Sequence, residues 1–251
     1  MDKNKKELPI FLQNPKVRGI SKEVVDSIPK DKKVYLVGGM VRNALYYQYF
    51  KKILPSRDFD IAFVGNRQGF VSNLIKKGFI YGKTKKKNEI VLKKSKIKKP
   101  KAIQDYVVLD IHSDGDQDIK KQIKGKANFT IGSFALELKD ILSEDWADKV
   151  ITTPQAAKDL KNKQIRVNAL NKEHPFQIFS CIRLMSLGFK KPSKKDIDRL
   201  LKLLFTTDNK ERFDINIKKV FDYVGGEKKA RILLKKLGIK KDIFDFSVIH
   251  K

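Results

Sequence analysis

One cysteine, Cys181, is the only thiol in this sequence, so no intramolecular disulfide can brace it. It sits in an apolar stretch with helical spacing and is expected to fill core space rather than to react. No apolar run reaches the roughly 18 residues of a membrane span, which excludes a transmembrane helix. The opening MDKNKKELPIFLQ is basic but lacks an apolar segment of secretory length, so the expected location is cytoplasmic. Linkers rich in Gly, Ser or Pro are missing, and so are internal repeats. Acidic residues are scarce: 29 Asp and Glu face 56 Lys and Arg, a formal net charge of +27. That field suits a phosphate backbone, with affinity falling as salt rises. An acidic protein partner, or lysine enrichment by an AT-rich genome, would leave the same excess.

What the sequence does contain is a foldable core, with 41% hydrophobic and 10% aromatic residues in 251. The pattern predicts a helix over Ser21–Ile28, after an irregular lead-in. Strands are expected at Lys33–Val37, Phe59–Val64, Phe79–Gly82, Glu89–Leu92 and Tyr106–Ile111, with helices over Met40–Ile53 and Phe70–Lys77. From Ile131 the spacing turns helical: Ile131–Leu142, Ala156–Leu160, Pro175–Leu187, Lys194–Phe205, Ile215–Val224 and Lys228–Leu237. The fold class is therefore α+β, a mixed or antiparallel sheet with helices followed by an all-helical portion. The expected domains are residues 1–135 and 136–251.

The chemistry concentrates in VYLVGGMVRNALYYQYFKKILPSRDFDIAFVG, Val34 to Gly65. Gly38 and Gly39 separate a strand from a helix, where backbone N–H groups can approach a phosphate and the helix N-terminus adds positive potential. Arg42, on the first turn, can reach the same anion. A glycine pair also serves any tight turn. Asp58 and Asp60 lie one residue apart on a strand and project to one face. Two close carboxylates repel unless a cation neutralises them, and oxygen ligands suit Mg²⁺; a solvated strand edge is the plain alternative. Asp110, in the strand candidate YVVLDI that can lie beside Phe59–Val64, can supply a third carboxylate. The loop HSDGDQD spaces Asp114, Asp116 and Asp118 like a calcium loop but lacks the terminal glutamate, so a polar turn is expected there.

Taken together, GGMVR, a helix and RDFDIAF resemble the head domain of the class II tRNA nucleotidyltransferase and bacterial poly(A) polymerase family. The likeness continues in order. IYGKT resembles an FGT-type strand, and KANFTIGSFAL the RDFTINALA segment joining head to neck. ITTPQAAKDLKNKQIR resembles DPFGGLxDLxxxxIR, and EHPFQIFSCIRLMSLGF resembles EDPLRILRAVRFAxxLGF with one residue deleted. The resemblance implies a nucleotidyltransferase head over 1–135 and an RNA-binding helical neck and shortened body over 136–251. It implies transfer of NMP from an NTP, CTP or ATP, to the 3′-hydroxyl of tRNA or a tRNA-like RNA. Asp58, Asp60 and Asp110 would be catalytic, with Asp58 and Asp60 on Mg²⁺. Gly38, Gly39, Arg42, Asn43, His174, Gln177 and Arg183 would bind the nucleotide. The dense run Lys83 to Lys101 supplies the expected RNA contacts: Lys85, Lys86, Lys87, Lys93 and Lys94.

Several positions depart from the pattern. The aspartate after VR is Asn43, and DFTIN is NFTIG, with Asn128 and Gly132 at its ends. The Asp and Arg of EDxxR, which read the base in CCA-adding enzymes, are His174 and Gln177. Neutral side chains still offer donors and acceptors, but not the charged pair. A poly(A)-polymerase-like or repurposed enzyme with another NTP choice therefore stays open. So does an RNA-binding homologue without catalysis.

Overall fold

The computed structural model describes residues 8–55, 58–83, 89–102, 105–113, 118–171 and 174–249. The chain divides into two compact units, Met1–Lys124 with Gly132–Pro154, and Gly125–Ile131 with Gln155–Lys251.

The first unit is built on a seven-stranded sheet: β1 (Val34–Val37), β2 (Asp58–Phe63), β3 (Ile80–Tyr81), β4 (Glu89–Ser95), β5 (Tyr106–Ser113), β6 (Phe134–Glu137) and β7 (Ile151–Thr152). Their order is β3-β4-β5-β2-β1-β6-β7. β2 and β5 run parallel and the other neighbours antiparallel. The helices are α1 (Pro15–Val25), α2 (Gly39–Phe50), α3 (Gln68–Lys76) and α4 (Ile119–Lys126). Along β2, Phe59, Ile61 and Phe63 alternate with Asp58, Asp60 and Ala62, so one face is apolar and the other begins acidic. On the apolar face Phe63 meets Phe70 of α3 with ring centroids 5.6 Å apart. On the other face Ala62, Tyr35 and Ala135 pack with Ile119 and Ile123 of α4, a helix the sequence reading did not anticipate.

Two expectations are corrected. The first helix begins at Pro15, not Ser21, because Asn14 caps it by accepting from the Lys16 and Val17 N–H groups at 3.0 and 3.3 Å. Ser21 lies buried inside the helix. The stretch Ile131–Leu142 is not a helix but a 3-10 turn (Thr130–Gly132), strand β6 and a second 3-10 turn (Leu138–Asp140). Phe134, Ala135 and Leu136 are all buried, as on an interior strand covered on both faces.

The second unit carries α5 (Pro154–Lys161), α6 (Gln177–Ser186), α7 (Lys194–Leu204), α8 (Lys210–Val224), α9 (Glu227–Leu237) and α10 (Phe246–Ile249). α8 starts before the expected Ile215 because Asn209 caps it, accepting from the Arg212 N–H at 2.8 Å. Its core includes Phe179, whose ring centroid lies 5.9 Å from those of Phe213 and Phe244. Cys181 is fully buried, and burial, with the Asp196 charge second, holds its thiol above the usual range. The motif KDLKNKQIR is explained structurally. Buried Asp159 accepts from Thr130 Oγ1 at 2.7 Å, Gln155 Nε2 at 2.8 Å and Arg166 Nε at 3.0 Å.

Candidate active site

The site in the first unit follows from one tight turn and two adjacent strands. β1 ends at Gly38, whose φ of +71° and ψ of −126° are open to glycine and strained for other residues. Its N–H donates to the Phe134 carbonyl of β6 at 2.9 Å, which pins the turn to the sheet. α2 starts at once, so its first-turn amides have no intrahelical acceptor and can meet an anion. A Cβ on Gly38 would lie 3.8 Å from Asp60 Oδ2, and one on Gly39 would lie 3.6 Å from Arg42 Nη2. The turn, the guanidinium and the carboxylate are thus in close approach.

Asn43 is buried and works on both sides. It accepts from Arg42 Nε at 2.9 Å and donates from Nδ2 to the Pro55 carbonyl at 3.0 Å. A carboxylate at 43 could make the first bond but not the second.

Asp60 stands in register with Asp110 across the parallel β2–β5 pair, so both carboxylates share one face. Asp58, opposite Val108, lies on the same face and is exposed. Asp60, Asp110 and His112 form a group whose donor atoms all lie within 4.8 Å of one another. Asp58 is not part of that group. His112 Nε2 lies 3.2 Å from Asp110 Oδ1 and 3.7 Å from Oε1 of buried Glu89, its partner on β4. The Asp110 hydrogen bond raises the His112 pKa above its ordinary value; burial opposes this, and the charges of Asp110, Glu89 and Asp60 reinforce it. His112 and Glu89 were missed in the sequence. The available signal was strand alternation, since His112 is two residues beyond Asp110 and must share its face.

The lysines divide by the same alternation. Lys93 projects on the carboxylate face and lies over the Tyr106 ring, 4.8 Å from its centroid. Lys94 projects to the other face, where its ammonium pairs with Glu23 and donates to the Lys77 carbonyl at 2.7 Å. Lys85, Lys86 and Lys87 lie outside the described residues, as do Asp114 and Asp116.

The remaining predicted residues belong to the second unit. Arg212 of α8 reaches His174, with Nη2 3.0 Å from Nδ1. An arginine can only donate, so Nδ1 accepts and the imidazole carries its proton on Nε2. Gln177 is buried at the start of α6, its Nε2 3.3 Å from Asn128 Oδ1 and 3.4 Å from the Asn171 carbonyl. Arg183 donates to Ser180 Oγ at 2.8 Å and lies over the Tyr223 ring.

No protein-family model matches the chain, and no curated protein sequence does. Solved structures do match in fold. A structure titled tRNA-processing enzyme (apo form I) superposes with a TM-score of 0.62 at 20% identity, over 94% of this chain and 59% of that one. The Thermotoga maritima CCA-adding enzyme complexed with tRNA gives 0.61 at 20% identity, over 88% and 54%. A CCA-adding enzyme with ATP gives 0.60 at 20% identity, over 91% and 50%. The chain spans between half and three-fifths of the length of these proteins. The chain therefore shares the fold of these proteins over most of its length.

Proposed function

We propose that this chain is a template-independent RNA nucleotidyltransferase that adds NMP from an NTP to the 3′-hydroxyl of a tRNA or tRNA-like RNA. The observation carrying this reading is the approach of the Gly38 turn to Asp60, itself in register with Asp110. A phosphate-accepting turn beside paired carboxylates is what nucleotidyl transfer requires. In that reaction the 3′-oxygen bonds to the α-phosphorus, the α–β phosphoanhydride breaks, pyrophosphate leaves and the hydroxyl proton is released. The reading is supported by the fold likeness to proteins solved with ATP, CTP and tRNA.

The residues divide the work by chemistry. First-turn amides of α2 and the Arg42 guanidinium, steadied by Asn43, would hold the triphosphate. Asp58, Asp60 and Asp110 would hold a divalent cation, and their oxygen donors taken alone fit Mg²⁺. A bound divalent cation supplies charge stabilisation at the transferred phosphoryl group. Lys93 and the lysines around it would meet the RNA backbone in the cytoplasm. An NTP choice other than CTP or ATP is the second reading. It is favoured by the neutral Gln177–Asn128 contact where the resembled motif carries a charged arginine.

The test is incubation with each labelled NTP and with tRNAs ending before C, CC and CCA. Cation-dependent extension is expected, falling about a hundredfold or more in Asp60→Asn and Asp110→Asn. No extension with any NTP, or full activity in Asp60→Asn, would defeat the reading.

A further inference from the structure

We infer that His112 is itself a ligand of the divalent cation on the carboxylate face, making this a mixed nitrogen–oxygen centre that prefers Mn²⁺ to Mg²⁺. The inference rests on the reading of this face as metal-binding, and it concerns which ion the residues select.

Three features carry it. His112 lies two residues after Asp110 on β5, so its ring stands on the carboxylate face by strand geometry. Its neighbour in register on β2 is Ala62, whose side chain is a single methyl group. Its Nε2 faces Asp110 Oδ1 at 3.2 Å, and with Asp60 the donor atoms span at most 4.8 Å. Bonds of about 2.1–2.4 Å from one ion reach opposite donors about 4.2–4.8 Å apart, so the three side chains can share a single ion.

The donor types then bear on the ion. Carboxylates and water suit Mg²⁺, which gives up its waters reluctantly and gains little from an imidazole nitrogen. Imidazole favours later, softer divalent ions, and carboxylates are good ligands for Mn²⁺, so a site offering both suits Mn²⁺. Here three protein ligands, with Asp58 exposed beside them, leave positions for phosphate oxygens and water. The competing role is that His112 only orients Asp110 through their hydrogen bond.

Electron spin-echo spectroscopy of Mn²⁺ bound to the full chain without nucleotide separates these roles. Direct ligation predicts ¹⁴N modulation from a coordinated imidazole, lost in His112→Asn, whose amide can still donate to Asp110. By calorimetry, Mn²⁺ affinity should fall in that variant while Mg²⁺ affinity holds, because only the softer ion gains from the imidazole nitrogen. Mn²⁺ bound without ¹⁴N modulation, an equal loss of both affinities, or no Mn²⁺ binding would overturn the inference. A ¹⁴N signal without nucleotide incorporation would defeat the functional reading and leave this one standing. Incorporation without the signal would do the reverse.

Discussion

Gln177 donates from Nε2 to Asn128 Oδ1 across 3.3 Å, so two positions that depart from the resembled motifs are neighbours in space. The Asn171 carbonyl at 3.4 Å can only accept, which fixes the orientation of the Gln177 amide. An arginine at this buried position would call for a carboxylate beside it; a glutamine needs only an amide. The two changes therefore form one neutral substitution of a polar pair. Gln177→Arg alone is expected to lower stability by about 2–4 kcal/mol, as a buried charge without its counter-charge. Adding Asn128→Asp should return most of that loss. Urea unfolding of the four proteins in the cycle measures the coupling, and simple additivity would refute it.

The glycine pair has two separable roles. Gly38→Ala forces a Cβ onto a backbone at φ +71° and ψ −126°, and should lower stability by about 1–3 kcal/mol. Gly39 is an ordinary helical position, where a Cβ would only approach Arg42 Nη2 at 3.6 Å. Gly39→Ala should leave the unfolding midpoint nearly unchanged, because that distance is an ordinary van der Waals contact and the guanidinium need not move. Equal thermal shifts in the two variants would show that the turn geometry is not what selects Gly38.

What the sequence made legible was whatever strand alternation or helix spacing writes in one dimension. β1, β2 and β5 fell near their expected places, and the second unit's longer helices matched within a few residues, α8 apart. β6 was misread because burial on both faces erases alternation, so Phe134, Ala135 and Leu136 look like any apolar run. The placement of the YVVLDI strand beside Phe59–Val64 was expected and is found, but the parallel register that sets Asp60 opposite Asp110 spans a long connection that no local pattern records. His112 is within reach of alternation, since it stands two residues beyond Asp110 on the same strand. The Asn14-Pro15 pair is likewise a legible helix start, a capping asparagine followed by proline at the first helical position.

Asp159 is expected to be a structural residue of the second unit. Its buried carboxylate accepts from Thr130, Gln155 and Arg166, tying the 125–131 segment to α5 and to the strand-like stretch after it. Arg166 is half exposed, so its pairing is partly screened; the two shorter hydrogen bonds come from neutral donors. Asp159→Ala leaves those donors unsatisfied and should cost about 2–4 kcal/mol in chemical denaturation. Asp159→Asn keeps an acceptor and should cost less. If both variants unfold at the wild-type midpoint, the residue has another role.

Neighbouring lysines on β4 should separate in an RNA-binding assay because they stand on opposite faces. Lys93 lies over Tyr106 on the carboxylate face, while the Lys94 ammonium is held by Glu23 and the Lys77 carbonyl. Lys93→Ala is therefore expected to flatten the dependence of log affinity on log salt by about 0.7–0.9, the loss of one phosphate contact. Lys94→Ala should leave that slope in place and instead lower stability by about 1 kcal/mol. Filter binding of tRNA across a salt series, with thermal melts of both variants, decides the matter. An equal change of slope in both would place Lys94 on the RNA and mean that its Glu23 pairing yields when RNA binds.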